Sequence, residues 1–174
     1  MKVILISGKS GHGKDTFAGF LKKEMEKRGK TVLIAHYADL LKYICTQFFD
    51  WDGKKDEAGR SLLQHIGTGV IRTKDPDFWV RSLGDILELL EGSWDYVLIP
   101  DARFPNEIER MKSRFDALHI RVIRMNYKSK LTRKQQQHPS ETALDDYEPD
   151  IPVWNYSLSE LKYTAAAILD AGVL

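Results

Sequence analysis

A short apolar run, Val3–Ser7, leads straight into Gly8-Lys9-Ser10-Gly11-His12-Gly13-Lys14-Asp15-Thr16, and residues 14–28 then carry Phe17, Phe20, Leu21 and Met25 at helical spacing. A buried strand, a glycine-rich turn and a helix in that order leave few folds open. The turn has the spacing Gly-x-x-x-x-Gly-Lys, and each residue type has a physical reason. Glycines let backbone N–H groups converge on phosphate oxygens without a Cβ in the way. The helix N-terminus adds partial positive charge. The ammonium of Lys14 reaches the outer phosphates as a point charge. The plain alternative is a glycine-rich turn with no ligand, and the lysine in this context argues against it.

One position departs from the general pattern. Asp15 stands where Ser or Thr ordinarily ligates Mg²⁺. A carboxylate there would hold the ion directly or through water, with Thr16 on an inner phosphate. It would equally suit the first turn of a helix as a cap.

Composition permits such a fold and excludes others. With 174 residues, 43% of them apolar, the chain reads as one domain, 1–174. A chain of this length buries roughly 70% of its unfolded surface and needs no staple. Cys45 is alone, which rules out an internal disulfide or a cysteine zinc cluster. No apolar run reaches the roughly 18 residues of a membrane span. The first apolar run is too short for a signal peptide, so a cytoplasmic protein with no membrane partner is expected. Basic and acidic residues number 26 and 25, for a net charge of +1, so nothing draws the chain as a whole to nucleic acid.

The remaining pattern alternates. Strands are expected at Thr31–His36, Tyr96–Ile99, Leu118–Met125 and Val153–Tyr156, and helices over 38–49, 59–73, 78–91, Pro105–Arg114 and Ser157–Ala171. This predicts an α/β three-layer sandwich of about five parallel strands with helices on both faces. Residues 121–140 carry Arg121, Arg124, Lys128, Lys130, Arg133 and Lys134 without an acid, and residues 141–150 carry five acids without a base. Such segregation marks an exposed segment. It reads either as a solvated loop or as a basic lid, about 125–145, closing over phosphates during phosphoryl transfer. Arg124 and Arg133 are the first candidates to reach the phosphates.

The strand Tyr96–Ile99 ends in Pro100-Asp101-Ala102-Arg103. No Asn-Lys-x-Asp guanine motif occurs, and no glutamate follows Asp101, which excludes a GTPase switch and a motor ATPase. Asp101 and Arg103 lie just past a strand end, the usual ligand position in open α/β sheets. They would orient metal and substrate, or else pair with each other structurally.

Five pieces in order then carry a resemblance. They are the loop with its Gly-Lys-Asp-Thr ending; Leu63-Gln64-His65-Ile66-Gly67-Thr68 with Arg72 and Pro76-Asp77-Phe78-Trp79; Asp101-Ala102-Arg103-Phe104-Pro105-Asn106-Glu107; His138-Pro139-Ser140-Glu141; and Asn155 in Trp154-Asn155-Tyr156. Together the chain resembles the deoxynucleoside monophosphate kinases of bacteriophages and related small P-loop kinases. The resemblance implies a P-loop NTPase fold with a helical acceptor-binding insertion, about 38–92. It implies transfer of the γ-phosphate of ATP to a deoxynucleoside monophosphate, with Mg²⁺. Ser10, Gly11, His12, Gly13, Lys14, Asp15, Thr16 and Asn155 would bind ATP, with Asp15 and Asp101 at the metal. Lys14, Asp101, Arg103, Arg124 and Arg133 would act on the transferred group. Gln64, Arg72, Trp79, Arg103 and Glu141 would bind the acceptor. A monomer or homodimer in the cytoplasm, the host's if phage-encoded, is expected.

The chemistry agrees. An acceptor phosphate with a second pKa of ~6 is already ionised at neutral pH, so no catalytic base is required. The work is to align two polyanions. Aromatics of the insertion, among them Tyr37, Tyr43, Phe48, Phe49, Trp51, Phe78 and Trp79, would stack on a base or pack in the core. His12 is expected at the solvent, and Cys45 in the core. Rival readings are a small kinase with another phosphorylated acceptor, such as phosphomevalonate or dephospho-coenzyme A, and a P-loop module that binds nucleotide without catalysis. A nucleic-acid 5′-end kinase is disfavoured by the balanced charge.

Overall fold

The structure is a computed structural model that describes all of residues 1–174. Five strands, β1 (Lys2–Ser7), β2 (Val32–Ile34), β3 (Tyr96–Ile99), β4 (Asp116–Arg124) and β5 (Ile151–Asn155), form one parallel sheet in the order β2-β3-β1-β4-β5. The chain therefore leaves the central strand, runs to one edge, returns, and finishes at the other edge. β1 lies between β3 and β4, so the loops after β1 and β3 emerge side by side at one end of the sheet.

Alternation along β1 divides the core. Ile4 and Ile6 face α1 (Lys14–Lys27) and, at the chain end, α8 (Leu158–Asp170), packing with Phe17, Leu21, Leu98, Val122, Val153 and Leu161. Val3 and Leu5 face the other layer. That layer contains α2 (Tyr37–Phe48), α3 (Glu57–Gln64), α4 (Phe78–Leu89) and α5 (Pro105–Arg114), and there Trp79, Leu87, Val97, Ile108 and Met111 are buried. Strands buried on both faces are what a parallel sheet under two helical layers requires. The expected three-layer α/β sandwich is the observed one. Cys45 is fully buried, packed with Trp51 and Ile66 in a satellite core. Phe48 and Phe49 are exposed and belong to neither core nor cavity.

Two local expectations are corrected. Residues 59–73 are not one α-helix: α3 stops at Gln64 and His65–Arg72 continues as a π-helix. Apolar spacing cannot separate the two, because both present a continuous face. Gly67 lies in the wide turn, and its carbonyl accepts from Trp79 Nε1 at 3.1 Å. The basic block is also not one loop. Arg121 and Arg124 belong to β4, and two short helices, α6 (Arg133–Gln136) and α7 (Pro139–Thr142), follow. The Nη2 of Arg121 donates to the carbonyls of Leu144, at 2.5 Å, and Tyr147, which anchors the guanidinium to the segment after α7. No helix is long and apolar enough to cross a membrane.

Where β1 and β4 pair, Ser7 and His119 are both fully buried and hydrogen-bonded, Oγ to Nε2, at 2.7 Å. The other ring nitrogen, Nδ1, has no partner. Burial, then the nearby Arg121, pulls the imidazole down from 6.5 to about 4. The folded state thus holds a neutral ring that the unfolded chain protonates below pH 6.5. The stability this contributes is complete above pH 6.5 and is lost as pH falls toward 4, at up to roughly 1.4 kcal/mol per pH unit. Urea unfolding between pH 7 and 4.5 is expected to fall more steeply for the wild type than for His119→Gln, and parallel curves would remove this ring from the account.

Candidate active site

The loop after β1 turns on glycines whose backbones no other residue would fit. Gly13 precedes α1 at φ 96°, and a Cβ there would lie 2.9 Å from Nδ2 of Asn155. Gly11, at φ 80°, would meet the Tyr127 hydroxyl at 2.2 Å. Close backbone approach and left-handed φ are both satisfied only by glycine. Asn155, at the end of β5, donates from Nδ2 to the carbonyl of His12 at 2.9 Å and so ties the last strand to the loop. His12 is half-buried, not solvated as expected. Its Nδ1 lies 3.3 Å from the Val122 carbonyl, and its ring meets Tyr127 edge-on. The neighbouring strand β4 covers it, which sequence spacing does not show.

Lys14 is 6% exposed. Its ammonium donates to the carbonyl of Lys9 at 3.2 Å. Loss of water around the ammonium, then the positive charge of Arg103, pulls Lys14 down from 10.5 to about 8. A lysine so placed is held ready for an anion.

Asp15 does not cap α1, which begins without a side-chain cap. Its Oδ1 accepts from His36 Nε2 at 3.1 Å, and His36 Nδ1 faces Asp39 at 3.3 Å. That hydrogen bond holds the Asp15 carboxyl below and the His36 imidazole above their ordinary values. Asp15 and Thr16 remain exposed at the loop's end. An open carboxylate beside a hydroxyl, at the mouth of a phosphate loop, fits Mg²⁺, which takes one or two carboxylates and completes its shell with water and phosphate.

Asp101 and Arg103 do not pair with each other. Asp101 caps α2, its Oδ1 accepting from Tyr37 N at 3.1 Å and its Oδ2 from Ala38 N at 3.0 Å. Burial pushes its carboxyl up against these bonds. Arg103 donates from Nη1 to the Ser140 carbonyl at 2.8 Å and to Oε1 of Glu141. Its Nε and Nη2 edge has no protein acceptor. Glu141 also accepts, at Oε2, from the backbone N–H of Ser10 at 2.8 Å. One carboxylate of the 125–145 segment thereby joins the phosphate loop to Arg103.

Beside this junction lies a cavity of about 240 Å³ whose lining includes Ser10, Gln64, Arg72, Trp79, Asp101, Arg103 and Glu141. A second, of about 190 Å³, is lined by Gly8, Lys9, His12, Arg103 and Glu141 among others. Arg103 and Glu141 border both. Trp79 is buried and serves core and cavity together. Arg124 does not line either cavity; it lies over the Tyr127 ring and donates from Nη1 to the carbonyl of Gly11 at 3.1 Å. Arg133, at the start of α6, is exposed and lines neither. Nothing local in the sequence marks His36 or Tyr127, because packing alone brings His36 to Asp15 and Tyr127 to Gly11 and His12.

A parallel sheet with a phosphate loop after its central strand, facing Arg103 from the loop after the neighbouring strand, is the architecture of a P-loop kinase, a phosphotransferase. The chain belongs to the deoxynucleotide monophosphate kinase family, whose model matches residues 37–164. No curated protein matches the sequence. Among solved structures, the APS kinase of Mycobacterium tuberculosis in complex with AMPPNP and APS superposes with a TM-score of 0.56 at 14% identity, over 97% of each chain. Shikimate kinase from Aquifex aeolicus gives 0.53 at 14%, over 99% of this chain and 98% of that one. A sugar kinase from Janibacter gives 0.56 at 15%, over 97% and 94%. At such identities the likeness is one of fold.

The state of Lys14 leads to a measurable proton uptake. At pH 8 about half of it is neutral in the free protein, and bound phosphates restore the charge, so nucleotide binding takes up ~0.5 proton. Calorimetry of AMPPNP binding at pH 8, in buffers of different ionisation enthalpy, is expected to show this uptake, and affinity is expected to fall as pH rises from 8 to 10. A buffer-independent heat would mean that Lys14 is fully charged before binding.

Proposed function

We propose that the protein transfers the γ-phosphoryl group of ATP to a deoxynucleoside monophosphate, giving ADP and the deoxynucleoside diphosphate. The observation that carries this reading is Arg103, whose unpaired guanidinium edge stands where the phosphate loop and the larger cavity meet. The family match supports the acceptor class. Residues of about 38–92 form the acceptor-binding insertion in this reading, and about 125–145 the lid.

An oxygen of the acceptor phosphate attacks the γ-phosphorus. The bond from that phosphorus to the bridging oxygen breaks, and its electron pair leaves with ADP. The attacking oxygen is already ionised, so no residue must take a proton. The amides of Gly11 and Gly13 and the ammonium of Lys14 hold the donor phosphates. Arg103 offers a bidentate edge to the transferred group, whose charge spreads over three oxygens. Arg72, Gln64 and Trp79 hold the acceptor. Asp15, with Thr16, would hold Mg²⁺, which when bound supplies further charge neutralisation at the phosphates. Asp101 acts by fixing the start of α2 against the loop. The segment around Glu141 closes over the junction and keeps water from the donor.

The test is ADP production from ATP and Mg²⁺ with each deoxynucleoside and ribonucleoside monophosphate supplied separately, and with none. Turnover with at least one deoxynucleotide and little without acceptor is expected. Arg103→Ala is expected to lower kcat by roughly a hundredfold or more. ATP binding without any nucleotide-dependent ADP release would overturn the acceptor class and turn the search to other phosphate monoesters.

A further inference from the structure

Glu107 is 2% exposed, in the first turn of α5, four residues beyond Arg103. Its two oxygens have different tasks. Oε2 accepts from the backbone N–H of Arg103 at 2.7 Å and of Phe104 at 3.1 Å, closing the start of the helix. Oε1 accepts from Nη2 of Arg72 at 2.5 Å. Arg72 arrives from the π-helix, lies over the Phe104 ring at 3.9 Å and reaches the Pro76 carbonyl with Nη1.

Closing a helix start asks only for an acceptor, and glutamine serves at this position as well as glutamate. A full charge buried there costs desolvation that only a well-made pair offsets. The pair it makes is with one of the two arginines that line the acceptor cavity, while its other oxygen fixes the backbone of the second. A single buried carboxylate thus sets both arginines from one point, although they come from different elements.

We propose that Glu107 is a positioning residue that sets Arg72 and Arg103 as one clamp for the phosphate group of the acceptor. This rests on the acceptor being a phosphate monoester, as in the reaction proposed above. Glu107 itself touches neither substrate.

Glu107→Gln separates the two tasks. The amide oxygen still closes α5, while the amide N–H meets the guanidinium of Arg72, donor against donor. KM for acceptor, KM for ATP, kcat and melting temperature are measured for E107Q, Arg72→Ala and the double variant. E107Q is expected to raise the acceptor KM about tenfold, the scale of one charge-assisted hydrogen bond, with the ATP KM within about twofold. The double variant is expected to be no worse than R72A, because Glu107 acts through Arg72. A lower melting temperature with both KM values unchanged, or with both raised in parallel, would make Glu107 a helix cap only. Should E107Q not fold, Arg72→Lys, which keeps the charge without the fork, is read by the same split. A binding arm separates this proposal from the reaction itself. If the wild type turns over no nucleotide, the reaction fails. The clamp then stands if deoxynucleoside monophosphates raise the wild-type melting temperature and E107Q loses that rise, and falls if the two proteins respond alike.

Discussion

Cations brought together out of water repel one another and lose hydration, and this fold collects Lys14, Arg72 and Arg103 at one end of its sheet. The depressed Lys14 shows what that costs, since burial comes first among its causes and Arg103 second. Four carboxylates make the arrangement tolerable. Glu107 holds Arg72, Glu141 holds Arg103, and Glu141, then Asp15, then Asp101 lie near enough to Lys14 to favour its charge. None of the four is hydrogen-bonded to the Lys14 ammonium, which donates to the carbonyl of Lys9. The group best placed to receive a phosphate is therefore the one left least compensated.

The topology decides where this can happen. Because β1 lies between β3 and β4, the phosphate loop and the Asp101–Arg103 loop leave the sheet as neighbours. Asp101 then pins the start of α2 against the same end. Glu107, one helical turn later, pins the π-helix through Arg72. Two carboxylates, one in the loop after β3 and one in the first turn of α5, thus dock α2 and the π-helix onto the same end of the sheet. The buried ends of such a network are hard to move singly, which favours a cavity of fixed shape.

What the sequence makes legible follows from distance along the chain. The strand, loop and helix around Lys14 are local, so spacing alone displays them. Strand alternation with helices is likewise local in each unit, and the parallel sheet follows from it. The π-helix is hidden because its apolar face looks like any helix face. The partners of Ser10 and His36 are hidden for a different reason: Glu141 lies 131 positions from Ser10, and Asp15 lies 21 from His36. Only packing brings them together. Arg121 misleads, since a basic residue beside a basic run reads as solvated or as part of a lid over phosphates, whereas its place on β4 beside Ser7 brings it to the carbonyls of Leu144 and Tyr147.

The charge segregation of residues 121–150 gains its meaning from the same contacts. Two of its acids meet the loop: Glu141 takes the Ser10 amide and Asp145 pairs with Lys9 at 3.1 Å. In its basic half Arg121 turns inward to the carbonyls of Leu144 and Tyr147, and Arg124 reaches the carbonyl of Gly11. The segment is docked by the groups that a phosphate chain would also seek. A segment whose acids meet the phosphate loop and whose Arg124 reaches the carbonyl of Gly11 is tied to that loop from both of its charged blocks, and neither block alone would show this.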